Sequence, residues 1–559
     1  MSPFNPEIIK AYRELGAWGD RSIAELFLAT MQKWPRRIAL IDDPTREMLV
    51  GTRPEKLSYA ELGAAVNQMS ACLKSHGLQK GDIVLTQLPN IWEVGALLLV
   101  GAATGIIISP APMQYRHKEL SDIVRTLAPN AVITTSKFKN TNPAQLFVDD
   151  VVKNNIAVFR ISNTGDDVGQ LFDWRSFATS SSNFEAEVSP DEVLTVCWTS
   201  GTEAEPKGVV RTHNNWLTTG KGIAAAANLK PGYRILNPFP FVNMASIGGL
   251  FMPWIVTEGT LVLHHPFDLS VMLQQMREDK VNYTVLAPSL LNRILKESGL
   301  VEHLNTEHLE GLGTGSAPPD AWMMKAFQEE HGIPITNFFG SNEGVSLTSG
   351  ADDMPEPVSR ARLFPRAGRP QWKWRNPAMN WSETVLIDIE SGEEIDEVGV
   401  AGELRISGPS VFPGYYQAGE TTPRGFDENG YYCSGDLFEI AELNGEAKFY
   451  KYVGRVRELI IRGGMNISPV EIDSALADHP NIKDAAVVGY PDPDLGEKIC
   501  VFVVLMPDVD VNLQDVVEHL QMKGLAKYKF PEKLRVLEQL PRNPVNKVMR
   551  RDLEKMVKL

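Results

Sequence analysis

Residues Trp198–Val210 read WTSGTEAEPKGVV, and the fold turns on what this loop is. The apolar run Val193–Trp198 (VLTVCW) leads into it and VVRTH follows, so a hydroxyl- and glycine-rich turn with one lysine interrupts buried chain. A P-loop of the form GxxxxGK[ST] places its lysine after the last glycine and a hydroxyl after the lysine. Here Lys207 precedes Gly208 and no hydroxyl follows, which excludes that loop. What remains is Thr199, Ser200, Gly201 and Thr202, whose hydroxyls and peptide N–H groups can surround phosphate oxygens while Lys207 adds positive charge. A plain surface turn fits the same residues, so the choice rests on what surrounds them.

Upstream, amphipathic helices alternate with short apolar runs: SYAELGAAVNQMSACLKSHG, then DIVLTQLP, KELSDIVRTLAP and NAVITTS. The rhythm returns downstream in VMLQQMREDKVNYTVLAPS and AWMMKAFQEEHGIPITNFFG. Such alternation predicts a parallel α/β sheet. Val94–Pro110 (VGALLLVGAATGIIISP) is apolar enough to suggest a membrane span, but Thr104-Gly105 splits it into a helical and a strand-like half, so a buried helix and strand are expected. From Ser382 to Tyr432 short segments between Gly, Pro and acidic turns predict a β-rich subdomain, and beyond Arg457 a compact α+β module of roughly 100 residues follows. The expected division is a large N-terminal domain, residues 1–456, and a small C-terminal domain, residues 457–559.

The 559 residues are too many for one core. With 43% hydrophobic and 22% charged residues the chain reads as globular, and its net charge of -15 argues against nucleic acid or an anionic membrane as partner. Cys72, Cys197, Cys433 and Cys500 have no paired spacing, so neither a zinc site nor a disulfide framework is expected. The N-terminus lacks a hydrophobic signal core. A cytoplasmic protein without integral membrane association is the expectation.

Further loops carry polar chemistry. In NFFGSNEG, Asn337–Gly344, Phe338 or Phe339 offers a ring for a base, Asn337 and Asn342 can hydrogen-bond, and Glu343 is a hard oxygen ligand suited to magnesium; Gly340 and Ser341 lie between them. In YYCSGD, Asp436 sits in a turn from which a carboxylate can accept ribose hydroxyls. GRVRELIIRGG places Arg455 after a glycine, and PRNPVNKVMRR places Lys547 on a Pro- and Asn-bounded loop. Each alone fits an ordinary turn or solvated tail.

Their order is more specific: the PKG loop, GTGSAPP at Gly313–Pro319, FGSNEG, GELRISG, SGD, GR and a late lysine. Over nearly the whole chain this series resembles the superfamily of adenylate-forming enzymes, which includes acyl-CoA synthetases, nonribosomal peptide synthetase adenylation domains and firefly luciferase. The resemblance implies ATP, Mg2+ and coenzyme A, and a two-step reaction in which a carboxylic acid is adenylated with release of pyrophosphate and then passed to a thiol. It makes WTSGTEAEPKGVV the loop for the ATP β- and γ-phosphates, and gives Lys547 the transferring phosphoryl group. Glu343 with Thr202 would hold the metal, with Asn342 beside them at the reacting centre. Asn337, Phe338, Phe339, Gly315, Ser316 and Ala317 would take adenine, and Asp436 and Arg455 ribose. Arg457 occupies the hinge position and Gly464 matches the glycine that lets pantetheine pass. Three loops depart from the usual pattern: Glu203-Ala204 stands for Thr-Gly, Asn342 for Thr, and Val545-Asn546 for Ser-Gly.

The phrases AYRELGAWGDRSIAEL and VVRTHNNW are similar to the branch of aryl-acid adenylating enzymes and alicyclic-acid CoA ligases. The Ala-His-Asn usual in the aryl-acid enzymes is absent from PFPFVNMASIGG. Asn243, Met244, Ile247, Gly248 and Gly249, with Gly313, then predict an apolar, roomy acid pocket for a medium or long aliphatic or alicyclic acid. The alternatives are an enzyme loading an acyl carrier protein in trans and a nucleotide-binding sensor without turnover.

Overall fold

The computed structural model describes residues 2–148, 156–161, 168–178, 188–199, 206–297, 299–304, 307–344, 346–417, 419–463, 465–542 and 547–557. Two large sheets stand at its centre. One has nine strands, with a parallel core that includes Ile83–Thr86, Ile107–Pro110, Ala131–Thr134 and Val193–Thr199. The other has eight, with Ile38–Ile41, Thr260–Leu263, Arg234–Asn237, Tyr283–Val285, Gly311–Gly315 and Ile335–Gly340 all parallel.

Between the sheets runs the helix Trp92–Thr104, buried along nearly its whole length, with Gly105 in the left-handed region ending it before strand Ile107–Pro110. A helix covered on all sides must be apolar on all sides, which is why its sequence resembles a membrane span. Two glycines let the sheets close on it. A Cβ on Gly101 would lie 2.8 Å from the Ile106 carbonyl oxygen, and one on Gly95 3.3 Å from Leu40 Cδ1 of the opposite sheet. Among the described residues no helix is long and apolar enough to cross a membrane. Neighbouring helices start at Ser22 and Ser58, each in a capping box with a glutamate three residues on, as S-x-x-E before an apolar face requires.

At the junction of the sheets Arg46 is buried against Asp42 (2.8 Å) and Glu93 (2.6 Å). Nearby the His265 ring stacks on Phe138 with its Nδ1 buried and unpartnered. Burial, with His264 and Lys139 alongside, pushes this imidazole down to about 3. A depressed histidine contributes stability above its unfolded pKa of about 6.5 and loses it as pH falls toward the folded value. His265→Phe is therefore expected to keep the unfolding temperature at pH 7.5 and to flatten its decline toward pH 5, as measured by calorimetry at the two pH values.

The β-rich part is a six-stranded antiparallel sheet spanning Leu363–Arg455. It is wider than the Ser382–Tyr432 expected, because its two longest strands, Tyr432–Leu443 and Glu446–Arg455, follow the tyrosine, and its edge strand Leu363–Pro365 precedes the serine. A fourth sheet is built from Ile460–Arg462, Met465–Ile467, Ile482–Asp492, Gly496–Leu505 and Lys533–Val536, covered by helices Pro469–Leu476 and Leu513–Met522. It touches the preceding sheet where Ser468 Oγ bonds the Val453 carbonyl.

Candidate active site

The loops singled out in the sequence gather outside the carboxyl ends of parallel strands, where open α/β sheets bind ligands. Gly315 closes strand Gly311–Gly315, and Ser316 (φ 68°) and Ala317 turn outward after it. The next strand, Ile335–Gly340, delivers Ser341, Asn342 and Glu343 to the same edge. Thr199 ends its strand there and Lys207 begins the antiparallel return strand. Ser200, Gly201, Thr202, Glu203, Ala204, Asn546 and Gly464 lie outside the described residues.

Glu343 is held at the junction of three segments. Its Oε1 accepts from the Tyr415 hydroxyl at 2.9 Å, which is 3.1 Å from the Tyr432 hydroxyl, and its peptide oxygen accepts from Phe412 N at 2.8 Å. Lys207 Nζ lies 5.5 Å above the Tyr415 ring. Lys207 and Glu343 thus meet on one tyrosine. Sequence reasoning missed Tyr415 and Tyr432, although GYYQ and YYCSGD display both.

Asn342 ties the Ser341–Gly344 loop to the segment that begins at Met244. Its Oδ1 accepts from Met244 N at 2.8 Å, at the start of the π-helical segment Met244–Phe251, and Asn243 caps that segment through Ser246 N. Around this segment the glycines make less room than their size suggests. A Cβ on Gly248 would lie 2.5 Å from Met244 Sδ, and one on Gly313 would lie 2.5 Å from Tyr283 Oη and 2.6 Å from Phe338 Cε2. The space expected from these glycines is filled by neighbours, and Ile247 is buried behind them.

Tyr283 is fully buried and its hydroxyl has no partner among the described residues, at a cost of about 1–3 kcal/mol for an unsatisfied buried donor. Tyr283→Phe is expected to raise the unfolding temperature or leave it unchanged while keeping activity on hydrocarbon-chain acids within about threefold. Parallel thermal melts and turnover assays check both.

The two phenylalanines of NFFG diverge, as alternation along a strand requires. Phe338 packs toward the inter-sheet core beside Gly313, whereas Phe339 meets Phe438 edge-on at 4.9 Å in the β-rich sheet. Asn337 is 2% exposed, and its amide nitrogen donates to the Arg360 and Ala361 carbonyls. Those two donors are spent on the backbone.

Asp436, 4% exposed, lies opposite Arg455 in the hairpin and accepts from its Nε at 3.2 Å. Burial raises this carboxyl while Arg455 and Lys547 pull it down. Lys547 therefore lies within reach of the Asp436 charge. Burial lowers the lysine pKa first and Arg455 and Arg550 add to that, while Glu458 and Asp436 oppose them. Arg457 is exposed in the 3-10 turn Val456–Glu458 that separates the hairpin from the fourth sheet.

The residues present fit a nucleotide with magnesium. Ser341 Oγ is buried without a partner, and no cluster of three or more acidic, histidine or cysteine side chains able to hold a metal exists among the described residues. One carboxylate at Glu343 plus polyphosphate oxygens is the mode magnesium favours.

Comparison with known proteins gives the family. The model of the AMP-binding enzyme family matches residues 27–416, and that of the AMP-binding enzyme C-terminal domain matches residues 471–547. The chain belongs to the AMP-binding enzyme family, the adenylate-forming superfamily. It is 28% identical over 560 residues to the medium-chain fatty-acid–CoA ligase of Escherichia coli (strain K12), covering 98% of this chain and 92% of the relative. It is 27% identical over 557 residues to enterobactin synthase component E of the same organism, covering 98% and 96%. The fold is similar to the crystal structure of ATP-bound MatB from Rhodopseudomonas palustris, with TM-score 0.79, 24% identity and coverage of 96% and 99%.

Proposed function

We propose that this enzyme activates a carboxylic acid with ATP and passes the acyl group to coenzyme A. In the first half-reaction a carboxylate oxygen attacks the α-phosphorus, the bond to the β-phosphate oxygen breaks, and pyrophosphate leaves. In the second, the CoA sulfur attacks the acyl carbon, AMP departs, and the thiol proton goes to solvent. What supports this reading is that Lys547 lies within reach of the Asp436 and Arg455 charges, since an acid attacking a polyphosphate joins two anions and needs a cation at the reacting phosphorus.

Asp436 and Arg455 hold the ribose, Lys207 with the hydroxyls of Thr199, Ser200 and Thr202 takes the outer phosphates, and Gly315–Ala317 line the base. Magnesium, held by Glu343, would neutralise phosphate charge. Asn342, with Oδ1 fixed by Met244, is left to offer its Nδ2 toward the reacting centre. Residues 1–456 form the binding domain and 457–559 the mobile one, with Arg457 at the hinge and Gly464 on the thiol path. An aliphatic or alicyclic acid suits an apolar wall of Met244 and Phe338.

Relatives named CoA ligases favour CoA as acceptor, and a carrier protein is the second reading. Pyrophosphate exchange with a panel of acids, followed by AMP release with and without CoA, tests the proposal. Exchange with a CoA-dependent thioester supports it. Exchange without a thioester moves the acceptor to a carrier protein, and no exchange with any acid removes the reading.

A further inference from the structure

We infer that Arg211 is a positioning residue of this site, a fixed positive charge that braces the Ser341–Gly344 loop from behind. The inference rests on the reading that this loop faces metal and polyphosphate. Arg211 lies in strand Lys207–Thr212 and is 0% exposed. Its Nη1 donates to the Asn342 carbonyl at 3.2 Å, and its Nη2 donates to the Asn215 carbonyl at 3.2 Å and to Thr219 Oγ1 at 3.0 Å. The guanidinium lies 4.4 Å from the Trp216 ring, and Nε is buried with no partner.

Among the described residues no carboxylate pairs with this cation. Burial pulls its pKa down to about 9, against the upward pull of the Cys197 thiol and of Glu343. A buried charge of this kind lowers stability, and an apolar side chain of similar length would not. Its hydrogen bonds show a compensating use. Arg211 holds the Asn342 backbone, and the Asn342 side chain holds Met244 N, so one guanidinium sets the register of nucleotide loop and acid wall together. Its charge stays in place when Lys547 moves away, so the two cations differ in kind: one is static, the other mobile.

The test compares wild type with R211M and R211K. R211M is expected to melt at the same temperature as wild type or higher, to lose about 100-fold in the kcat of pyrophosphate exchange, and to change the KM for ATP by less than about threefold. Thioester formation from a supplied acyl-adenylate, in which no pyrophosphate leaves, should fall less than about threefold. R211K restores charge without the planar fork and should recover about tenfold over R211M. Exchange by R211M within threefold of wild type overturns the inference. So does a loss in R211M that tracks a fall in melting temperature while R211K, equally folded, shows no recovery. Absence of exchange in wild type with every acid removes the underlying reading and this inference together, whereas wild-type exchange with an undisturbed R211M removes the inference alone.

Discussion

Lys547→Ala should reduce pyrophosphate exchange by about 100- to 1,000-fold, the range seen when one preorganised charge stabiliser is removed from a reacting oxygen. ATP affinity, measured by calorimetric titration, should change by less than about threefold, because the proposal leaves the nucleotide to Asp436, Arg455 and the phosphate loop. Thioester formation from a supplied acyl-adenylate should survive, since that step has no phosphoryl transfer to stabilise. The pKa of Lys547 is depressed, by burial first and then by Arg455 and Arg550. A lysine supplies its charge below its pKa, so exchange should decline at a lower alkaline pH than an ordinary lysine would allow. Unchanged exchange in Lys547→Ala would falsify the proposed mechanism.

Gly344→Ala should be as damaging by a different route. Gly344 has φ 95°, where side chains other than glycine's are strained, and a Cβ there would lie 2.0 Å from the Ser410 carbonyl oxygen and 2.6 Å from Arg211 Nη1. The carbonyl cannot yield easily, because Ser410 also anchors the loop through its Oγ, which donates to the Gly344 carbonyl. Overpacking against backbone together with the wrong φ is expected to cost about 3 kcal/mol. The first unfolding transition should drop by roughly 3 °C, read by scanning fluorimetry. Because Glu343 is the preceding residue, pyrophosphate exchange should fall as well. Wild-type melting and exchange in Gly344→Ala would show that the loop accommodates a side chain.

The contrast between these residues marks what sequence can carry. Segment types were readable where one physical cause sets them: the all-round apolarity of Trp92–Thr104 and the Thr104-Gly105 break that ends the buried helix. The polar loops were readable as an ordered series, and that series gave the family. What stayed hidden depends on which chain segments become neighbours. Asn337 looks like a base-reading amide until the register of its strand sets it against the Arg360–Ala361 backbone. Gly248 and Gly313 look like open space until Met244 and Tyr283 arrive from other elements. Arg211 reads as one more strand-end cation, and nothing in VVRTH says that no acid will meet it.

The hydrogen bond from Met244 N to Asn342 Oδ1 bears on how such enzymes are redesigned. Transplanting the stretch around Met244 from a relative to retune which acid is accepted would also import a peptide group shaped for whatever residue that donor carries opposite it. A successful transplant should therefore need position 342 exchanged in the same step, and variants altered on one side alone should lose turnover on every acid instead of switching preference.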